Sequence, residues 1–186
     1  MTGPLIIRPA SCDDAEALSA VGRATFTETF GHLYKPEDLS SFLETSHSPA
    51  AYRRGLAKGG AAWLVYDTDD CVVGYAAVGP CQLPVDPMPP RAGELSRLYL
   101  MQAAQRGGQG TKLLAIALDW LEQRFDHVYL SVYSENLGAQ RLYARHGFTK
   151  VAEYKYMVGQ HADDEFIYYR ATQKNGDRND PRLSSR

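Results

Sequence analysis

A glycine-rich turn between a predicted strand and a predicted helix sets the strictest limit on the architecture of this chain. It lies in the sequence ELSRLYLMQAAQRGGQGTKLLAIALD, where residues 94–100 have strand character and apolar residues from Leu113 onwards recur at helical spacing. Glycine permits positive φ angles and close approach of a ligand to the backbone. The first turn of the helix adds unpaired N–H groups and the positive end of a dipole. The stretch therefore predicts a pyrophosphate site.

Two common phosphate-binding motifs do not fit this turn. A P-loop requires GxxxxGK[ST], but here Thr111 precedes Lys112 and the glycines are too closely spaced. A dinucleotide-binding turn requires GxGxxG and an acidic residue about 20 residues later, and this pattern does not fit either. What remains is Gln105, two variable residues, Gly108, one variable residue and Gly110.

A second motif, HVYLSVYSENLGAQRLYARHGF, follows the helix. It combines a strand with Asn136, Ala139, Tyr143 and a closing Gly147-Phe148. Together with the turn and the opening strand IIRPA, it resembles the GCN5-related N-acetyltransferase (GNAT) superfamily, over residues 5–170. The resemblance implies an α/β fold, with a mixed, mostly antiparallel sheet of about six to seven strands flanked by helices. We expect one domain over residues 1–171 and a disordered tail over residues 172–186, which contain almost nothing apolar.

The resemblance also implies acetyl-CoA as co-substrate and a set of residues that binds it. The main chain of residues 98–100 would hydrogen-bond the pantetheine arm like an added strand, and one N–H there would face the thioester oxygen. Asn136 either orients the cofactor or caps its helix, and Arg106 meets a phosphate or is only a solvated charge. The predicted cofactor-binding residues are Leu98, Tyr99, Leu100, Gln105, Arg106, Gly107, Gly108, Gln109, Gly110, Thr111, Asn136 and Ala139.

Two residues are predicted to be catalytic. Tyr143 is the candidate general acid, because a phenol with a pKa near 10 keeps its proton at neutral pH yet is reasonably matched to a thiolate whose acid has a pKa of roughly 8.5. The alternative is a tyrosine that packs in the core with its hydroxyl satisfied nearby. Glu94 is the candidate base that neutralises the incoming ammonium, and its alternative is an exposed acid at a strand end. His32 and Tyr34 are weaker candidates for lining the acceptor pocket.

The expected reaction is acetyl transfer to a primary amine, either a small molecule or a peptide. The stretches ATFTETFGHLYKPEDLSSFL and ELSRLYL are similar to the PaiA-like polyamine acetyltransferase branch, which favours spermidine or spermine. The acids Glu28, Glu37, Asp38 and Glu94 would form the approach for such a cation. The alternatives are the N-terminus of a protein, another small amine, or a non-catalytic module that binds acetyl-CoA.

Composition excludes several other classes of function. The net charge is −2 and no basic stripe is interleaved with aromatics, which argues against nucleic acid. The three cysteines lack metal-ligand spacing, which favours a reducing compartment and no metal. No apolar run approaches the roughly 20 residues that span a bilayer. We expect a cytoplasmic protein that binds no membrane, with a homodimer as one open assembly.

Two expectations concern regions outside the motifs. The proline-rich connector of residues 79–93 is predicted to be a stiff exposed loop. Residues 150–158 and 165–171 are predicted to form a closing antiparallel pair, joined by a loop over residues 159–164.

Overall fold

The computed structural model describes residues 5–105 and 107–172, so Arg106 and the predicted tail beyond residue 172 lie outside the described residues. One sheet contains the seven strands β1 (Ile6–Pro9), β2 (Ala61–Tyr66), β3 (Val72–Pro80), β4 (Ala92–Leu100), β5 (His127–Tyr133), β6 (Thr149–Val158) and β7 (His161–Ala171). The helices are α1 (Ala15–Phe30), α2 (Pro36–Ser46), α3 (Pro49–Ala57), α4 (Gln109–Arg124) and α5 (Leu137–Arg145).

The helix starts follow local sequence signals. Proline occupies the first position of both α2 and α3, where its missing N–H costs no hydrogen bond. Ser48 caps α3 through its side chain, which accepts from the Ala51 N–H at 3.2 Å. Asp14, just before α1, accepts from the Ser11 N–H at 2.8 Å and pairs with Arg8. These residues fix where the three helices begin.

The sheet has the order β1-β2-β3-β4-β5-β7-β6. Among the strands of the described residues, β4 and β5 pair in parallel, and every other neighbouring pair is antiparallel. The predicted fold class, a mixed and mostly antiparallel sheet of six to seven strands with flanking helices, is confirmed.

The alternation of side chains along the strands gives the sheet two different faces. Trp63 and Val65 of β2 point to the face covered by α4, whereas Ala62 and Leu64 point to the face covered by α1 and α3. We call these the α4 face and the α1 face. Tyr143 of α5 packs on the α4 face.

One sequence expectation is wrong and a second is only partly right. The segment 159–164 is not a loop, because β7 begins at His161 and pairs with β6 from Val158 onwards. Gly159 adopts a φ of 59°, which allows the chain to reverse within a very short turn. The connector after β3 is not simply exposed, since Leu83 and Val85 pack against Tyr129 and Ile167 on the sheet.

Candidate active site

The two parallel strands at the centre of the sheet pair for only part of their length. β4 and β5 are in register from Ala92 with His127 to Leu95 with Leu130. Beyond that point β4 continues along β3 to Leu100, and β5 continues along β7 to Tyr133. The strands therefore separate and leave an opening through the sheet, which we call the β4–β5 gap.

The free side of β4 in this gap is defined by the hydrogen-bond ladder with β3. The Met101 N–H donates to the Val73 carbonyl at 2.8 Å, and Tyr99 is opposite Tyr75 in the same register. Because successive residues of an antiparallel strand direct their main-chain groups to opposite sides, the main chain of Tyr99 faces β3, while that of Leu98 and Leu100 faces the gap. The gap thus exposes unpaired backbone groups from two of the three predicted residues.

A cavity of about 550 Å³ passes through the gap and reaches both faces of the sheet. Most of the predicted site residues line it: Glu94, Leu98, Tyr99, Leu100, Gln105, Gly108, Gly110, Thr111, Asn136, Ala139 and Tyr143. Gly107 and Gln109 belong to the same turn but are not among the lining residues, and Arg106 is outside the described residues. One cavity therefore brings together residues from the two sequence motifs.

The glycine-rich turn has the geometry of an anion-binding cradle at the α4 face. Gly107 and Gly108 have φ angles of 76° and 75°, and α4 starts directly afterwards at Gln109. A Cβ atom added at Gly108 would meet nothing within 4 Å, and one added at Gly110 would meet only Leu100, at 3.8 Å. This open space, next to the N–H groups of the first helical turn, fits the pyrophosphate of coenzyme A.

Gln105 links the turn to β4. Its Nε2 donates to the Leu100 carbonyl at 2.9 Å, so the side chain satisfies one of the main-chain groups that face the gap. The Leu98 groups and the Leu100 N–H are left for a ligand that adds to β4 as a strand would. This arrangement fits an extended chain carrying amides, such as pantetheine.

On α5, Asn136 and Tyr143 occupy different environments. The Asn136 side chain accepts from the Ala139 N–H at 3.1 Å, which is the geometry of a helix cap. Tyr143 is 7% exposed, and its hydroxyl has no hydrogen-bond partner among the described residues. Burial raises the pKa of Tyr143 well above the ordinary value of a phenol, so the hydroxyl keeps its proton.

Glu94 lies in the part of β4 that still pairs with β5, and its carboxylate already accepts a hydrogen bond. It lies opposite Tyr129 in the paired part of the two strands, and its Oε2 accepts from the Gln82 N–H of the connector at 2.8 Å. Burial raises the pKa of Glu94, and the backbone hydrogen bond opposes this shift. Of the weaker acceptor-pocket candidates, Tyr34 lines the cavity and His32 does not.

The α1 face of the cavity contains polar residues that the sequence reasoning missed. Asp163 and Glu165 project from β7, Ser131 from β5 and Arg97 from β4. The sequence places Glu165 at the start of a predicted strand but leaves Asp163 in the predicted loop of residues 159–164. Acidic residues are depleted in strands, which is why the beginning of this strand resembles a loop.

Within the described residues, no cluster of His, Cys, Asp and Glu could hold a metal ion. Among the helices so described, none is long and apolar enough to cross a membrane.

The arrangement of a split parallel pair, a glycine-rich turn at a helix start and a cavity through the sheet defines a coenzyme A-dependent acyltransferase. The family model for the acetyltransferase (GNAT) family matches residues 25–148. An uncharacterised N-acetyltransferase of Mycobacterium bovis is 32% identical over 84% of this chain and 97% of its own length. Another, encoded in the pepI 3′ region of Lactobacillus delbrueckii subsp. lactis, is 28% identical over 92% of this chain and 99% of its own.

Solved structures share the fold. PaiA N-acetyltransferase from Thermoplasma acidophilum, determined in complex with coenzyme A, superposes with a TM-score of 0.70 at 19% identity, covering 91% of this chain and 99% of that one. The chain belongs to the GNAT family. It is an acetyl-CoA-dependent N-acetyltransferase, which sets aside the non-catalytic binding module considered above.

Proposed function

We propose that this enzyme acetylates a polycationic primary amine, with spermidine and spermine as first candidates. The observation that carries the proposal is the environment of Asp163, which is 4% exposed in the wall of the cavity. Its Oδ2 accepts from the Tyr34 hydroxyl, whereas its Oδ1 has no hydrogen-bond donor among the described residues. His161 Nε2 is 3.2 Å from Oδ1 but is not aligned as a hydrogen bond. An ammonium group would supply the missing donor.

Other acids support a cationic acceptor, although Glu94 is the only one of them that was expected from the sequence. Glu28, Glu37 and Asp38 do not line the cavity, and Glu28 instead accepts from the Gln102 N–H at 2.9 Å. Glu94 and Glu165 do line it, together with Asp163. Negative charge on the α1 face would draw in an amine in its charged form.

The residues around the gap divide into two groups by face. Acetyl-CoA supplies an acetyl group activated as a thioester. We propose that the turn of residues 105–111 and the main chain of Leu98 and Leu100 hold it, and that Asn136 and Ala139 border it at the start of α5. The amine then enters from the α1 face and meets the acetyl group in the gap.

Tyr143 is proposed to donate its hydroxyl hydrogen to the departing sulfur. Its lack of a protein partner and its place in the cavity wall support this role over that of a packed tyrosine with a satisfied hydroxyl. The raised pKa keeps the phenol protonated at neutral pH, and the same burial makes it a weaker acid towards the thiolate than an exposed tyrosine would be.

A second candidate acceptor is an amine that also carries a carboxylate, such as the N-terminus of a short peptide. Arg97 is the observation that favours it. Its guanidinium lines the cavity, forms no ion pair with a carboxylate of the described residues, and hydrogen-bonds to the Ser96 carbonyl at 3.0 Å. Arginine binds carboxylates in a bidentate manner.

The test is a comparison of acceptors by initial rate of coenzyme A release. The panel contains spermidine, spermine, hexylamine as a monoamine control, and glycylglycine. We expect kcat/KM for the polyamines to exceed that for hexylamine at least about tenfold and to fall with added salt, because screening weakens the attraction. Asp163→Asn should reduce that preference. Efficient acetylation of glycylglycine without acetylation of polyamines would contradict the polyamine proposal, and loss of the dipeptide rate in Arg97→Gln would then support the second candidate.

A further inference from the structure

A serine and a glutamate stand together at the point where the central strands separate. Leu130 is the last residue of β5 that pairs with β4, so Ser131 is the first residue of β5 to border the gap. The Ser131 hydroxyl donates to Glu165 Oε2. Both residues line the cavity on the α1 face, from which the amine is proposed to enter.

The position of Glu165 in the sheet explains this contact. Glu165 lies opposite Tyr133 of β5 and Tyr154 of β6, and it shares its face of β7 with Asp163. Its carboxylate is partly buried and makes no ion pair with the described residues. Glu94 differs, because its carboxylate is held by the main chain of the connector before the gap opens. Asp163 lies beyond the end of β5 and accepts from Tyr34. Glu165 is thus the acid nearest the point of separation whose charge is available.

We propose that Glu165, held by Ser131, is the base that takes a proton from the acceptor ammonium before it attacks the acetyl group. The proposal rests on amine acetylation and not on the identity of the amine. The nitrogen loses two protons in all: one passes to the Glu165 carboxylate and then to water, and the other offsets the proton that the sulfur gains as the N–C bond forms and the C–S bond breaks. Tyr143 gives its own proton to the sulfur, and the second nitrogen proton replaces it on the phenol.

The surroundings of Glu165 suit this role. Burial raises the pKa of Glu165 to about 7, the hydrogen bond from Ser131 opposes the shift, nearby Asp163 adds to it, and Arg97 lowers it. The other titratable groups that feel its charge are neutral phenols: Tyr34, Tyr99, Tyr133, Tyr143, Tyr154 and Tyr156. A base with a pKa near the working pH both accepts and releases a proton readily.

The first measurement is the pH dependence of kcat/KM from pH 5 to 9, with spermidine and separately with glycylglycine. The parent should lose activity about tenfold per pH unit below a pKa near 7, because protonated Glu165 cannot act as a base. Glu165→Gln should lose the break near pH 7, because its rate then rises throughout with the fraction of amine that is already neutral, and it should be slower by on the order of 100-fold at pH 8. Ser131→Ala should move the limb to higher pH by on the order of one unit, since the carboxylate loses a donor. Glu94→Gln should keep the limb.

The second measurement requires no acceptor. Infrared difference spectra of the parent between pH 5 and 9 should show one carboxyl group that titrates near pH 7 and is absent from Glu165→Gln. The proposal is overturned if the titration persists in Glu165→Gln, if no carboxyl titrates in that range, or if kcat/KM of Glu165→Gln keeps the break near pH 7 with either amine. A polyamine preference that fails in the panel, with the limb still dependent on Glu165, would leave this assignment standing.

Discussion

Burial of Glu165 makes its carboxylate a stronger base and at the same time lowers the stability of the folded protein at neutral pH. Its pKa is raised to about 7 in the folded protein, against 4.5 for the ordinary side chain. The folded state therefore binds this proton more tightly than the unfolded state, so the contribution of Glu165 to stability declines as the pH rises from 4.5 to 7. We expect Glu165→Gln to melt at a higher temperature than the parent at pH 8, with the difference vanishing towards pH 4.5. Scanning calorimetry at both pH values tests this, with the exposed Glu153→Gln as a control that should show no such gain. An equal or lower melting temperature at pH 8 would contradict the raised pKa.

Tyr143 should matter for turnover and little for binding or folding. Its hydroxyl has no partner among the described residues, so Tyr143→Phe leaves no buried group unsatisfied. We expect kcat to fall on the order of 100-fold, the usual effect of one positioned acid, with unchanged coenzyme A affinity by calorimetry. Tyr66→Phe is the control, because Tyr66 lies on β2 outside the cavity and bonds to Arg8. Equal turnover of Tyr143→Phe and the parent would assign the proton to water or another group.

At the level of elements, the packing of α1 on α3 and the sheet depends on Gly22. The Tyr52 hydroxyl donates to Tyr75 at 2.9 Å and lies 2.9 Å from His47 Nδ1 in a buried chain. Burial lowers the pKa of His47 to about 3, so this imidazole is neutral. A Cβ atom at Gly22 would lie 2.1 Å from the Tyr52 oxygen. Helix α1 can therefore lie this close to the hydrogen-bonded side chains only because residue 22 is glycine.

We therefore expect Gly22→Ala to lower the free energy of unfolding by about 2 kcal/mol or more, the cost of overpacking and of disturbing buried hydrogen bonds. Urea titration measures the change. Gly55→Ala on α3 is the matched control, since a Cβ there meets nothing within 4 Å, and it should gain about 0.5–1 kcal/mol. A Gly22→Ala protein as stable as the parent would show that the helix can shift without cost.

Across the whole molecule, the sequence predicts one side of the site far better than the other. The turn at Gly108 and the helix that carries Tyr143 can be predicted from short stretches of sequence, because glycine spacing and helical periodicity are visible within a few residues. The residues of the α1 face come from separate strands, and only strand pairing brings Ser131 next to Glu165. Asp163 was missed for a related reason: its strand is stabilised by partners in β6 and not by its own propensity.

The same distinction applies to main-chain geometry. The resemblance to the family implies that the backbone of Leu98, Tyr99 and Leu100 binds the cofactor. It does not specify the register with β3, which directs the main chain of these residues to two different sides of the strand. Because of this division, the free side of β4 is the binding surface for an amide-containing chain.

Amide hydrogen exchange, followed residue by residue with and without coenzyme A, tests this claim most directly. The N–H groups of Leu98 and Leu100 face the gap, so they should exchange rapidly in the free protein and become protected when coenzyme A is bound. The Tyr99 N–H already faces β3 and should be protected in both states. Protection that is unchanged at Leu98 and Leu100, or that increases at Tyr99 alone, would contradict the placement of the cofactor along β4.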